Sequence, residues 1–256
     1  CSHLTHPMNY WGVRAQRLES LAPHDQTIEE TAAHYIETLK SLQPEGPYHM
    51  VGWSLGGTIA FEMALQLEQH QEKIGTLVLI DALPPGTAPL KKGIPFNRKT
   101  ELDFIRRCLP QEALQQRLKN INEIKGIWAE TVNYLEENEP ALKDKIETIK
   151  RSIPGLTAIP NAARLSIRQW VQYLNMGRTL DNARSKYIPG RKPETVVHFL
   201  KAAGTTVIDP GKWNDYCQKP IKLYELEGHH HSLLKMPRVK TTAKLFEKIR
   251  RENPVH

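Results

Sequence analysis

A serine flanked by glycines, in Gly52-Trp53-Ser54-Leu55-Gly56, is the most informative short pattern in this 256-residue chain. In the G-x-S-x-G spacing, a serine hydroxyl can act as a nucleophile when a sharp turn from a strand into a helix presents it. The start of the helix favours negative charge beside the serine, and the N–H of Leu55 is placed to bind an oxyanion. We therefore predict that Ser54 attacks carbonyl carbons, and that Gly52 and Gly56 lack side chains because the turn is crowded.

A serine nucleophile needs a general base, and the base needs an acid that orients it, in the expected chain order serine, acid, histidine. His229, His230 and His231 cluster late in the chain, and their spacing leaves open which of them is the base. Asp81 directly follows an apolar run and Asp209 follows a later one by a loop, so either fits as the acid. A metal site at the triplet is not expected, because adjacent side chains rarely converge on one ion.

The residue patterns on either side of Ser54 predict alternating strands and helices, which would position the serine. The sequence predicts strands over Asn9–Ala15, Tyr48–Trp53 and Gly75–Ile80, and helices over Thr27–Leu42 and Leu55–Leu67. The first of these helices opens with a threonine followed three residues later by a glutamate, which is the spacing of a capping box. The nearly continuous apolar run of the third strand is typical of a parallel strand buried on both faces. This order predicts an α/β fold with a mostly parallel sheet flanked by helices.

The middle of the chain has a different residue pattern. Residues 92–190 are charged and helical in pattern, without a convincing strand, and we interpret them as an insertion between core segments 1–91 and 191–256. The aromatic residues of this insertion recur at helical spacing, which indicates packing among its helices; they are Trp128, Tyr134, Trp170 and Tyr173. Strands are expected again at Thr195–Leu200 and Ile221–Leu226, followed by a last amphipathic helix.

Composition excludes several classes of protein. The sequence has no apolar run long enough for a transmembrane helix and no signal peptide pattern, so we expect no membrane association. Three widely spaced cysteines, Cys1, Cys108 and Cys217, favour a reducing, cytoplasmic location over a disulfide framework. The net charge of +7 is spread along the chain. It therefore argues against nucleic acid as the partner and is compatible with an acidic protein surface.

Several of these segments resemble a known family. Tyr48-His-Met-Val-Gly-Trp-Ser-Leu-Gly-Gly57, Phe61-Glu-Met-Ala64 and Leu77-Val-Leu-Ile-Asp81 look like the thioesterase domains of non-ribosomal peptide and polyketide synthetases. Glu227-Gly-His-His-His-Ser-Leu-Leu234 is similar to the histidine loop of that family, Gly-Asp-His-Phe-x-x-Leu. The resemblance is strong over residues 27–86, fair over 194–249 and weak across the insertion.

The resemblance implies an α/β-hydrolase fold in which the insertion forms a lid. It implies Ser54, Asp81 and His230 as the catalytic residues and an acyl or peptidyl substrate held as a thioester on the phosphopantetheine of a carrier domain. That carrier would be the protein partner, in cis or in trans. No bound cofactor and no metal are expected. Release would occur through an acyl-Ser54 intermediate, by hydrolysis or by cyclisation.

One departure from the family concerns its first oxyanion loop. The family supplies a second oxyanion N–H from a His-Pro or Pro-Pro-x-x-Gly-Gly loop near its start, and no such motif precedes Asn9. His6-Pro7 stands too close to the next expected strand to serve, so the sequence predicts that this donor is missing. Three other hypotheses stay open: a stand-alone editing thioesterase, an ordinary carboxylesterase and a non-catalytic module that docks carrier domains.

Overall fold

The computed structural model describes residues 10–13, 20–87, 93–152 and 164–252. Contacts divide these residues into a sheet unit, 10–13, 26–87 and 183–252, and a helical unit, 20–25, 93–152 and 164–182. The sheet unit contains α1 (Ile28–Leu42), β1 (Tyr48–Trp53), α2 (Leu55–Gln69), β2 (Ile74–Ile80), β3 (Val197–Ala202), a 3₁₀ helix (Pro210–Tyr216), β4 (Lys222–Leu226) and α8 (Val239–Glu252). The helical unit contains α3 (Arg98–Cys108), α4 (Glu112–Leu118), α5 (Ile124–Glu137), α6 (Glu139–Ser152) and most of α7 (Ile167–Lys186).

The four described strands form one parallel sheet in the order β1-β2-β3-β4. Trp53 pairs with Ile80, and Ile80 pairs with Leu200, so these strands end at the same edge. The loops that follow them therefore meet at the carboxyl edge of the sheet, where open α/β folds place their ligands. The prediction of an α/β fold with a parallel sheet flanked by helices is confirmed.

Both faces of the sheet are buried, which explains the continuous apolar run of β2. Leu77 and Leu79 belong to a core cluster that also includes residues of α1 and α2. Val78 and Ile80 alternate with them and belong to a second cluster, with residues of α8. Since successive side chains of a strand point to opposite faces, a strand covered on both sides must be apolar at every position.

Helix α1 begins as the sequence predicts. The hydroxyl of Thr27 accepts the N–H of Glu30 at 3.0 Å, and the Glu30 carboxylate accepts the N–H of Thr27 at 2.9 Å. This reciprocal capping box satisfies two of the donors that a helix start leaves unpaired. It fixes the entry of the helix that covers one face of the sheet.

Two strand predictions need correction. The strand expected at Asn9–Ala15 is wrong over Tyr10–Val13, which lie outside the sheet, and its other residues fall outside the described ones. Trp11 and Val13 are exposed there; their preference for strands has no effect without a neighbouring strand to pair with. The strand expected at Thr195–Leu200 begins later, at Val197, because the Glu68 carboxylate accepts the N–H of Thr195 at 2.9 Å.

The helical unit has its own apolar core, to which Trp128, Tyr134 and Trp170 contribute buried rings. An ion pair is buried in the same unit. The guanidinium of Arg178 donates to both carboxylate oxygens of Glu101, at 2.7 and 2.8 Å, and lies 3.9 Å from the centre of the Phe104 ring. Glu101 is fully buried, and the Trp128 indole also donates to it at 2.9 Å. The aromatic residues therefore pack among the helices, as their spacing indicates.

No helix among the described residues is both long enough and apolar enough to cross a bilayer.

Candidate active site

Ser54 lies on the turn between the end of β1 and the start of α2. Its backbone has φ 56° and ψ −124°, a conformation that costs a non-glycine residue of order 1–3 kcal/mol. Two backbone hydrogen bonds hold the turn: the N–H of Ser54 donates to Ile80 O at 2.8 Å, and the N–H of Gly57 donates to Ser54 O at 3.0 Å. The strained backbone points the serine away from the normal course of the helix, as in a nucleophile elbow.

The glycines around Ser54 differ in why they are needed. A Cβ at Gly52 would lie 2.1 Å from the Gly56 carbonyl oxygen, and a Cβ at Gly57 would lie 2.6 Å from the Ala82 Cβ. The crowding expected at Gly52 is therefore present. At Gly56 the expectation is wrong, because a Cβ there would meet no atom within 4 Å. The close approach falls one residue later, at Gly57, where α2 packs against the loop after β2.

His230 lies four positions after the end of β4, and both of its ring nitrogens have a partner. Nε2 is 3.0 Å from Ser54 Oγ, and Nδ1 is 3.0 Å from Asp81 Oδ2. Because a carboxylate only accepts, the neutral ring donates from Nδ1 and accepts the serine hydroxyl at Nε2. That tautomer is the one that can take a proton from Ser54.

Asp81 directly follows β2 and is fully buried, with φ 50°. Its Oδ1 accepts the N–H of Ala202 at 2.9 Å, and its Oδ2 accepts the Thr205 hydroxyl at 2.8 Å. Burial by itself raises the pKa of the Asp81 carboxyl. Hydrogen bonds from His230, Ala202 and Thr205 outweigh it and leave this pKa below its ordinary value. Asp81 is therefore a carboxylate at neutral pH.

The other candidate residues lie apart from these bonds. Asp209 begins the 3₁₀ helix, where its carboxylate accepts the N–H of Gly211 at 3.0 Å. His229 is exposed, and its backbone N–H donates to the Ser232 hydroxyl. His231 is also exposed, and its ring stands at 84° to that of His230 with 4.9 Å between the centroids. Of the alternatives that spacing left open, the structure thus places His230 within hydrogen-bond distance of Ser54, and Asp81 within hydrogen-bond distance of His230.

Thr205 contacts both Asp81 and His230 and was not expected from the sequence. Its hydroxyl donates to Asp81 Oδ2 and accepts the backbone N–H of His230 at 3.1 Å. It lies in the turn after β3, is nearly buried and belongs to no recognisable motif. A buried threonine at the carboxyl edge of a parallel sheet was the available signal, and only the fold reveals that edge.

No group of three or more histidine, cysteine, aspartate or glutamate side chains suited to a metal ion occurs within the described ranges.

A parallel sheet with a serine at a strand-to-helix turn, and an acid and a histidine in later loops, is the arrangement of the α/β hydrolases. The model of the thioesterase domain family matches residues 2–251, so this chain belongs to that family. The dimodular nonribosomal peptide synthase of Bacillus subtilis (strain 168) is 38% identical over 227 residues, which cover 87% of this chain and 8% of that protein. Polyketide synthase PksR of the same organism is 28% identical over 187 residues, which cover 73% of this chain and 7% of that protein.

Solved structures agree on the fold. RedJ with a bound polyethylene glycol has a TM-score of 0.57 at 15% identity, over 92% of this chain and 78% of that one. The NocB thioesterase domain, in covalent complex with a fluorophosphonate nocardicin G analog, has a TM-score of 0.52 at 19% identity, over 88% of this chain and 76% of that one. The chain spans less than a tenth of the two synthetases, and the expected resemblance to their thioesterase domains is confirmed.

Proposed function

We propose that this domain is a serine thioesterase that takes an acyl, peptidyl or polyketide chain from a carrier-bound thioester and holds it as an ester on Ser54. The observation that carries the proposal is the chain of hydrogen bonds Ser54–His230–Asp81, with 3.0 Å at each step. A buried carboxylate, a histidine in the matching tautomer and a serine on a strained turn form one acyl-transfer unit.

In the first step His230 Nε2 takes the hydroxyl proton as Ser54 Oγ attacks the thioester carbonyl. Asp81 holds the ring orientation and stabilises the imidazolium that forms. The oxygen of the tetrahedral intermediate is negative, and we assign its stabilisation to the N–H of Leu55, the first residue of α2, at the positive end of the helix. Each group acts on charge that develops during the reaction.

In the second half of this step the carbon–sulfur bond breaks. The imidazolium returns its proton to the sulfur, so the thiol leaves neutral and the acyl group remains as an ester of Ser54. Water, or a hydroxyl or amine within the acyl chain, then attacks the ester while His230 takes its proton; the bond from the acyl carbon to Ser54 Oγ breaks, and the imidazolium returns the proton to Oγ. Hydrolysis and cyclisation therefore use the same residues and differ in which nucleophile reaches the ester.

The proposal that the substrate is bound to a carrier is supported by the setting of the similar sequences, which lie within multidomain synthetases. The phosphopantetheine arm would belong to the carrier, which leaves this domain without a bound cofactor of its own. A net charge of +7 favours association with an acidic partner surface.

The test is release of free thiol from a short acyl-phosphopantetheine thioester, with the oxygen ester of the same acyl group beside it. We expect release by the wild type, a preference for the thioester, and a loss of more than about 10⁴-fold in Ser54→Ala. Equal release by Ser54→Ala contradicts the covalent serine, and a clear preference for the oxygen ester favours a carboxylesterase.

A second measurement does not depend on the choice of acyl chain. A small fluorophosphonate should add its mass once to the wild type, at Ser54, and not to Ser54→Ala or His230→Gln. Absence of labelling in a folded wild-type protein would support the non-catalytic docking module instead.

A further inference from the structure

The residue before the nucleophile, Trp53, has three contacts with the histidine loop: two with His230, and an edge-on ring contact with His231 at 5.9 Å between centroids. Its indole N–H donates to the backbone carbonyl of His230 at 3.2 Å. Its ring lies beside the imidazole of His230, with 4.9 Å between centroids and 30° between planes. The 4.9 Å separation falls within the range of aromatic pairs, and the 30° angle makes this pair tilted. One side chain thus touches both the backbone and the ring of the same histidine, from 177 residues away in sequence.

The other contacts of His230 restrain different atoms. The hydrogen bonds to Ser54 and Asp81 lie at the two ring nitrogens, and the Thr205 hydroxyl receives the backbone N–H. Hydrogen bonds at two ring nitrogens act in the plane of the imidazole, so they restrain tilting of the ring less than a neighbouring ring packed against it does. The Trp53 ring supplies that neighbour, and its N–H fixes the carbonyl side of the residue.

Trp53 is itself held in place. It is half-buried and packs against the apolar cluster on the α8 face of the sheet. Its backbone belongs to β1, where it pairs with Ile80, the residue before Asp81. The strand that delivers the nucleophile therefore also carries the side chain that contacts its base.

We propose that Trp53 is a positioning residue: it joins the nucleophile turn to the histidine loop and keeps His230 Nε2 on the hydroxyl of Ser54. The proposal rests on the acyl-transfer role proposed above for Ser54 and His230. It adds a second function to the variable position of the G-x-S-x-G motif. The ring also lies where it can stabilise the imidazolium that forms when Ser54 loses its proton, since aromatic faces attract cations.

The test compares Trp53→Leu, which loses the aromatic ring and the N–H, with Trp53→Phe, which keeps a smaller aromatic ring and loses the N–H. In thiol release from an acyl-phosphopantetheine thioester, we expect kcat to fall about 10- to 100-fold in Trp53→Leu with KM within about twofold, as for a misplaced catalytic group. Trp53→Phe should recover to within about fivefold of the wild type, since an aromatic ring still packs beside the imidazole. Thermal unfolding of each variant shows that the fold persists.

The matched control is His229→Ala, which removes an exposed ring of the same loop and leaves the hydrogen bond from Trp53 to the His230 carbonyl in place. We expect its kcat to stay within about threefold of the wild type, as for an exposed substitution. A loss as large as that in Trp53→Leu overturns the proposal, because it would mean that any change in the loop has the same effect. A raised KM with unchanged kcat in Trp53→Leu overturns it as well.

A spectroscopic readout separates this inference from the proposed function. In NMR spectra of the histidine ring C–H groups, the Trp53 ring current should shift the His230 signals, and the shift should disappear in Trp53→Leu and remain in part in Trp53→Phe. Unshifted His230 signals in the wild type overturn the contact. A wild type that shows the shift but releases no thiol and takes no fluorophosphonate contradicts the proposed function, and a Trp53→Leu protein with wild-type kcat contradicts only the positioning role.

Discussion

The Thr205 hydroxyl donates to the Asp81 carboxylate at 2.8 Å, across 124 residues of sequence. The same oxygen accepts the backbone N–H of His230. Three loops, those after β2, β3 and β4, therefore share one small side chain. The acid and the base of the proposed triad are held to each other not only through the imidazole but also through this hydroxyl.

Thr205→Val keeps the shape of the side chain and removes the hydroxyl. Asp81 loses one donor, and the His230 N–H loses its acceptor, so we expect kcat to fall about tenfold and the free energy of unfolding to fall by about 1–3 kcal/mol. Thioester turnover and urea unfolding measure the two effects. Thr205→Ser, which keeps the hydroxyl, should recover most of the turnover, and an equally inactive serine variant contradicts the role of the hydrogen bonds.

Asp81→Asn tests the assignment of the acid. An amide can donate to Nδ1, which favours the tautomer that cannot accept the Ser54 proton, so kcat should fall about 10⁴-fold. Asp209→Asn is the matched control, because its carboxylate contacts Gly211 in the 3₁₀ helix and should leave kcat within about twofold. The reverse ranking of the two variants would show that Asp209 is the acid.

Three alanine substitutions at the turn should have very different effects on the free energy of unfolding. A Cβ at Gly52 overlaps backbone atoms of Gly56 and Gly57, so Gly52→Ala should lose more than about 3 kcal/mol of unfolding free energy. Gly57→Ala meets the Ala82 Cβ and should lose about 1–3 kcal/mol. Gly56→Ala enters open space within α2 and should gain up to about 1 kcal/mol. Chemical unfolding ranks them, and equal losses at Gly52 and Gly56 contradict this view of the turn.

Because His198 of β3 is buried, we expect the stability of the fold to depend on pH. Burial, with a smaller effect of the Lys222 charge, lowers the pKa of His198 to about 4. In the unfolded chain His198 has the ordinary histidine pKa of about 6.5, so as the pH falls it is protonated in the unfolded chain before it is protonated in the folded one. The unfolding free energy should therefore fall as pH drops from about 6.5 to about 4, by up to about 3 kcal/mol from this group.

Urea unfolding at pH 7, 6 and 5 measures that dependence, and His198→Gln should flatten it. The His198 ring contacts the Tyr224 hydroxyl at 3.1 Å, so the variant also loses some stability at every pH. The slope against pH, and not the absolute stability, is the relevant quantity. An unchanged slope in His198→Gln would assign the effect to other groups.

The ion pair of the helical unit should contribute strongly to its stability. Glu101→Gln leaves the Arg178 guanidinium, which is 18% exposed, beside a neutral amide, and we expect a loss of about 3–5 kcal/mol. Asp103→Asn breaks the exposed pair with Arg106 in the same helix, α3, and should change stability by less than about 0.5 kcal/mol. Similar losses for the two variants in thermal unfolding would contradict the importance of burial.

Local patterns in the sequence predict local structure well here. The capping box at Thr27 and Glu30 involves residues three apart, and the apolar run of β2 records burial on two faces, so both can be recognised without the fold. The turn at Ser54 is likewise encoded by its immediate neighbours. The choice between Asp81 and Asp209 is not, because it depends on which strand end lies beside the histidine loop.

The missed features depend on distant contacts. Thr205 matters because β3 lies between β2 and β4, and Gly57 matters because α2 touches Ala82; neither neighbour is close in sequence. The strand prediction is wrong over Tyr10–Val13 for a different reason. The residue types suit a strand, but no strand of the described sheet pairs with them. Strand propensity is a preference for a packed surface, and the sequence of the segment alone does not determine whether such a surface lies beside it.

Ser54 and Asp81 share a backbone feature whose consequence reaches beyond chemistry: both have positive φ, at 56° and 50°. Glycine would adopt either conformation without strain, so Ser54→Gly should be more stable than the wild type by about 1 kcal/mol while inactive. Asp81 offers no such gain, because the buried Ala202 N–H and the Thr205 hydroxyl would lose their acceptor. At position 54, therefore, the residue that would give the greater stability is not the one that carries a hydroxyl.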